Sequence, residues 1–396
     1  MKIIRKTLCS LLAILMIILS LPVFVSAEGE TQLQFNDDGK FRIMIFADTQ
    51  DVSPVKETTL QMMNECLDKY TPDLVIYLGD QTVATGDEEE YKAIKEIVAP
   101  CVEKDVPYAI VFGNHDGERE TSKEKLLSFY QEFGCLTTDT DPDMYGCGNC
   151  NLPILSSDGK KTAFNLWLFD SGSTNPDKEV GGYDYVRQDQ IDWYKTTAGE
   201  LKKANGGKVV PSILFQHIIM PEAYEAIYPR LPFNMGKDYT IDGTTYFPVP
   251  FFNRHRGVIL EPCSPPFVNG GQWDSIVATG DVIATFHGHD HVNDFTATHE
   301  GIDIVNVPTV GCQAYSDAIS RGAGLITLDE NDLSTYEYEM IYFFNMALEE
   351  DSDILSKDGA RSESYYKFIR FFRKFLDGVH NISVPKELEE KVKKNY

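Results

Sequence analysis

Positive charge is scarce in this chain: 36 Lys and Arg stand against 61 Asp and Glu in 396 residues, a formal charge of −25. Nucleic acids and anionic membranes are bound through basic footprints, so neither stable nucleic-acid binding nor general attachment to acidic lipid is expected. A phosphorylated small molecule or polymer would have to be drawn in locally, by metal ions whose charge dominates their site. No internal repeat or low-complexity tract is present, and no apolar run after residue 27 approaches the length of a spanning helix.

Cysteine is sparse as well, with eight in the whole chain. Cys9 falls in the leader described below, which leaves seven, so one would be unpaired in an oxidising compartment. Cys147-Gly148-Asn149-Cys150 fits a local disulfide, half a zinc site or a redox pair. A second Cys-x-x-Cys and a nearby His pair are both missing, so a structural disulfide or buried thiols are expected.

Hydrophobic residues make up 42% of the chain, enough to build the core of one large domain or two ordinary ones. Residues 1–27 read as a cleaved signal peptide. Lys2, Arg5 and Lys6 form its charged start, Leu8 to Leu21 its apolar core, and Val25-Ser26-Ala27 its cleavage site. Secretion with maturation at Glu28 follows; the competing reading is an uncleaved N-terminal membrane anchor. One main domain is then expected over 28–345, and a helical extension over 346–396.

Within the domain, strand-like runs alternate with amphipathic stretches, the pattern of a layered α/β fold. Helices are expected over Pro54 to Tyr70, Glu88 to Val102, Ser122 to Phe133 and residues 186–204, and a long loop over Asp139 to Lys161. Met220 to Trp273, dense in aromatics, Pro and Gly, is expected to wall a pocket, with a hairpin turn at Asp242-Gly243. Ile302 to Val307, Gly324 to Leu328 and Tyr336 to Phe343 read as closing strands.

Four apolar runs end in a residue of metal-ligand type, and a fifth delivers one more histidine. They finish at Asp48-Thr49-Gln50, Gly79-Asp80, Gly113-Asn114-His115-Asp116, His217 and Gly288-His289-Asp290-His291. Strand ends converge at the carboxyl edge of an open α/β sheet, so these distant residues can form one site. Their order and spacing resemble the calcineurin-like metallophosphoesterase superfamily, in its purple-acid-phosphatase-like branch, from about Phe41 to Leu328.

The resemblance implies a four-layer α/β/β/α sandwich of two mixed sheets flanked by helices. It implies two divalent metal ions, Mn, Fe, Zn or Mg, and attack of a metal-bridging hydroxide on a phosphomonoester or phosphodiester without a covalent intermediate. Asp80 would bridge the ions. Asp48, Gln50 and His291 would complete one site, and Asn114, His217 and His289 the other. His115 would protonate the leaving oxygen or stabilise the transition state, with Asp116 orienting its ring.

Two positions depart from the family pattern. Gln50 stands where histidine is usual, so an amide oxygen replaces an imidazole nitrogen. Val83 stands where true purple acid phosphatases place a tyrosine, so their iron-tyrosinate colour is not implied. A metal-binding surface protein with decayed phosphatase activity is the alternative that Gln50 raises.

Arg254, His255 and Arg256 form a cationic cluster that could grip a phosphate or be an ordinary solvated surface cluster, and Asp170 and Tyr183 sit where this branch often lines its pocket. Tyr365, Phe368, Ile369, Phe372 and Leu376 recur at helical spacing among Lys367, Arg370, Arg373 and Lys374. That helix would either pack on the domain with its basic residues solvated or contact the cell envelope, a membrane or an anionic wall polymer.

Overall fold

The computed structural model describes residues 31–228, 239–241, 244–246 and 254–380. The leader 1–27 and the Asp242-Gly243 turn lie outside the described residues, although the short strands flanking that turn, Tyr239–Ile241 and Thr244–Tyr246, pair antiparallel as a hairpin requires.

Two mixed sheets stack face to face. The first joins β1 (Lys40–Phe46), β2 (Leu74–Leu78) and β3 (Tyr108–Val111) in parallel, then continues from β1 antiparallel through β13 (Gly322–Asp329) to β14 (Glu337–Tyr342). The second runs β4 (Cys150–Leu155), β5 (Thr162–Phe169), β6 (Ser212–Gln216), β10 (Val282–His287), β12 (Ile302–Asn306), β11 (Asp294–His299) and β9 (His255–Val258).

Side chains alternate across each strand, and the alternation builds three cores. Ile43 and Ile45 of β1 face Phe164, Phe215 and Phe286 between the sheets. Met44 and Phe46 point the other way, onto helices Glu57–Tyr70, Asp87–Glu103 and Lys123–Glu132. Trp167 and Leu214 on the outer face of the second sheet meet helices Gln188–Ala204 and Gln272–Thr279. Strands buried on both faces read as continuous apolar runs, which is why these elements are legible in the sequence.

Two expectations change, and the cysteines take the second of their two expected alternatives. The segment Asp139 to Lys161 is not all loop, because Cys150–Leu155 pairs with β5. Pro153 lies inside that strand without penalty because β4 is an edge strand. The seven described cysteines are all free thiols, so Cys147 and Cys150 form no disulfide; burial pushes the Cys150 thiol up to about 12. In the helix Glu363–His380 the inward face is Tyr366, Ile369 and Arg373, whereas Tyr365, Phe368 and Phe372 of the expected apolar stripe are exposed.

Candidate metal centre

Each apolar strand hands its last residue to one edge of the sandwich. β1 leads to Asp48 and Gln50, β2 to Asp80 and β3 to Asn114 and His115. β6 leads to His217, and β10 to His289 and His291. The chain turns so sharply there that Asp48, Gln50, Asp80 and His289 all hold positive φ, between 43° and 72°. Non-glycine residues rarely adopt this conformation, and it is typically retained where a site demands it. Glycine is required beside them. A Cβ on Gly79 would lie 2.2 Å from His217 Nδ1, and one on Gly113 2.1 Å from Asp80 Oδ1.

Asp80, His217 and His289 can bring ligand atoms within 4.8 Å of one another. His217 Nε2 lies 3.1 Å from Asp80 Oδ2 and 3.7 Å from Asp48 Oδ1, and His291 Nε2 lies 3.3 Å from Asp48 Oδ1. The Gln50 amide Nε2 donates to Asp80 Oδ2 at 3.3 Å. Outer contacts fix the rings. His217 Nδ1 donates to the Leu78 carbonyl at 2.8 Å and His291 Nδ1 to the Tyr315 carbonyl at 3.1 Å, so each Nε2 is left facing the site. The His289 amide donates to Asp48 Oδ2, and Thr309 Oγ1 to the Asp48 carbonyl.

Asp48 Oδ1, Asn114 Oδ1, His217 Nε2 and His289 Nε2 are buried and form no well-aligned hydrogen bond, Asp48 Oδ1 and His217 Nε2 having only the ion-pair contacts just given. Buried polar atoms are normally satisfied, so four of them among neighbouring residues fit a cation-binding cradle of carboxylate, amide and imidazole donors. The electrostatics agree. Burial alone would depress the His217 imidazole, but Asp80 and Asp48 push its pKa up to about 10. Burial also penalises the Asp80 charge, yet His217, His115 and His289 hold its carboxyl below the usual range. Burial and the adjoining His217 lower His289 to about 3. His287 is buried beneath the site with Nε2 3.0 Å from Thr285 Oγ1.

His115 stands at the rim. Its side chain is 41% exposed, its Nε2 is 4.0 Å from Asp80 Oδ2, and its backbone amide donates to Asp80 Oδ1 at 2.8 Å. The ring partner is Glu118, whose Oε2 is 2.7 Å from Nδ1. Asp116 does not fill that role. Its Oδ2 accepts from the Gly113 and Asp80 amides, which ties the two ligand loops together, and burial beside Asp80 raises it to about 6. Glu118 lies three residues after His115 on the same short turn, a spacing that could have singled it out.

The expected substrate contacts divide. Tyr183 is at the site, its ring edge-on to His289 with centroids 4.3 Å apart. Asp170 is not available, being buried in an ion pair with Lys123 at 2.8 Å and accepting from the Cys147 and Gly172 amides. Arg254 and His255 are misplaced for a phosphate. Val258 of the outermost strand β9 pairs with Asp294 near the His289–His291 loop, while His255 pairs with Ala297 at the far end of the register. His255 is buried there against Phe295, and Arg254 is exposed.

Sequence reasoning missed Tyr315. Its ring stacks on His291 at 4.0 Å and its hydroxyl donates to Glu261, which itself accepts the Val292 amide. It lies in the connection after β12, another carboxyl-edge loop of the same sheet, which is the signal that could have found it.

The profile of the calcineurin-like phosphoesterase family matches residues 41–293. "Probable inactive purple acid phosphatase 14" of Arabidopsis thaliana is 30% identical over 322 residues, 72% of this chain and 74% of that protein. "Probable inactive purple acid phosphatase 29" of the same plant is 26% identical over 332 residues, 76% of this chain and 79% of its own. Among solved structures, a dimetal phosphatase from Danio rerio aligns at 12% identity over 76% of this chain and 96% of its own, with a TM-score of 0.49.

Proposed function

Because the chain belongs to the calcineurin-like phosphoesterase family, we propose that it is a secreted dinuclear metallophosphoesterase acting on phosphomonoesters or phosphodiesters. The observation that carries this reading is the set of buried, unpartnered donor atoms around Asp80. When bound, two divalent ions would clamp the phosphoryl group and lower the pKa of water at neutral pH.

The chain's own residues do the rest. Asp80 would be the anion shared by the two ions. Asp48, Gln50 and His291 would hold one ion, and Asn114, His217 and His289 the other. His115, partly exposed at the rim and held at Nδ1 by Glu118, presents Nε2 toward an incoming ester and would give the leaving oxygen its proton. Tyr183 beside His289 would wall the entrance.

Two observations favour a second reading, metal binding without turnover. The Gln50 amide occupies the usual histidine position with its NH2 toward Asp80, and two relatives carry "inactive" in their names. One experiment separates the readings: reconstitution with Mn, Fe, Zn or Mg, followed by metal analysis and turnover of p-nitrophenyl phosphate and bis(p-nitrophenyl) phosphate. Two ions with turnover support the enzyme, and ions without turnover support the binding protein. Absence of bound metal overturns both. Secretion is tested separately, by N-terminal sequencing of exported protein, expected to start at Glu28.

A further inference from the structure

The helix Glu363–His380 has two faces of opposite character. Tyr366, Ile369 and Arg373 are buried against the domain, and Arg373 forks onto the Asp294 carboxylate at 2.6 and 2.9 Å. The outer face is aromatic: Phe368, Phe371 and Phe375 are 61%, 71% and 59% exposed, and Phe372 is 36% exposed. Phe372 stacks with both Phe368 and Phe375 at centroid separations of 6.3 Å, so the rings form one continuous stripe. Helical periodicity sets Lys367, Arg370 and Lys374 along one margin of it. Lys367 pairs with Glu363, while half-buried Arg370 and exposed Lys374 make no ion pair among the described residues and stand over a groove that also holds Glu339 and Glu349.

Water-soluble surfaces seldom gather four phenyl rings into one patch, so this face has a partner. The chemistry points to lipid. Phenyl rings carry no polar atom with which to read a carbohydrate or wall polymer, whereas an apolar stripe edged by cations is the pattern of helices lying at the headgroup–acyl boundary. Charge is complementary only locally. At physiological salt the Debye length is about 8 Å, so distant acidic residues do not cancel Arg370 and Lys374 at a bilayer surface, and of the two acids in their own groove Glu349 is already paired with Lys69.

We propose that this face docks the protein onto an anionic lipid bilayer, with Phe368, Phe371, Phe372 and Phe375 entering the boundary region and Arg370 and Lys374 meeting lipid phosphates. The Arg373–Asp294 fork holds the helix rigidly to the strand that follows the His289–His291 loop, so docking would also fix the orientation of the metal centre. Docking requires nothing of catalysis and can be read without it.

The test is Phe371→Trp in the full chain, because its signal reports this helix and not the leader. Of the three native tryptophans Trp167 and Trp273 are buried and Trp193 is half-buried, and the unsubstituted chain supplies their background. With vesicles containing phosphatidylglycerol, a blue shift is expected, with at least about twofold quenching by acyl-brominated lipid, as for an interfacial helix. Adding Arg370→Glu and Lys374→Glu should remove both effects while thermal melting shows an intact fold. Four outcomes would overturn the inference: no quenching, equal quenching on purely zwitterionic vesicles, a blue shift that follows protein concentration without lipid, which marks a self-association face, or capture by isolated cell walls with no response to lipid.

Discussion

The two sheets bring different chemistry to the same edge. The five-stranded sheet supplies Asp48, Gln50, Asp80 and Asn114, all oxygen-bearing side chains. The seven-stranded sheet supplies His217, His289 and His291, all imidazoles. Neither sheet alone holds the whole candidate donor set, so an ion bound at Asp80 would join the halves of the sandwich as well as serve the proposed reaction. The contrast also explains the sharp backbone. Side chains from separate sheets must converge across a seam, which ordinary strand ends would overshoot, and the left-handed turns at Asp48, Asp80 and His289 bring them back.

Removing the shared anion breaks the arrangement most. Asp80→Asn should abolish turnover, a loss above about 10³-fold, and weaken both ions, because an amide cannot neutralise two cations. Metal stoichiometry alongside rate checks it, and near-normal values of both would dissolve the dinuclear assignment. His115→Ala should spare the seam and strike only the rim, with metal retained and rate down about 10²- to 10⁴-fold. Loss of metal in that variant would make His115 a ligand.

Gln50→His would blur the contrast by placing a nitrogen on the oxygen side. Tighter Zn binding relative to Mn or Mg is expected, read from metal titrations with activity followed in parallel. Unchanged selectivity would mean that the side chain at position 50 does not coordinate, in keeping with the Gln50 amide donating to Asp80.

The smallest effect concerns the support behind the five-stranded sheet. Burial raises the Glu90 carboxyl to about 7. A carboxyl raised on folding favours the native state fully below its unfolded value near 4.5, and that contribution is lost as pH climbs through about 7. Tm should therefore fall across this window, and Glu90→Gln should flatten the decline by about 2–5 °C. An unaltered profile would place the slope elsewhere.

The ligand loops were legible because each follows a doubly buried strand, whose apolar run and terminal polar residue leave a mark in one dimension. What failed was relational. Arg254 and His255 look like an anion grip in sequence, but the antiparallel register of β9 against β11 carries them away from the ligands. Asp116 adjoins His115 in sequence, yet its carboxylate turns inward to the Gly113 and Asp80 amides and leaves Glu118 to the imidazole. The β4 strand was hidden by Pro153, which only an edge position tolerates. In the last helix, periodicity favoured apolar residues on the inner face, and tertiary pairing with Asp294 put Arg373 there instead.

That last pairing gives the carboxyl end of the chain authority over its middle. Asp294, buried three residues after His291, has Arg373 as its counter-charge, and removing one member of a buried pair typically costs about 3–5 kcal/mol. During synthesis every candidate ligand emerges before residue 373, yet the strand following His289 and His291 gains its counter-charge only when that arginine arrives. A nascent or protease-trimmed chain ending earlier would carry the whole candidate ligand set on a loosened frame.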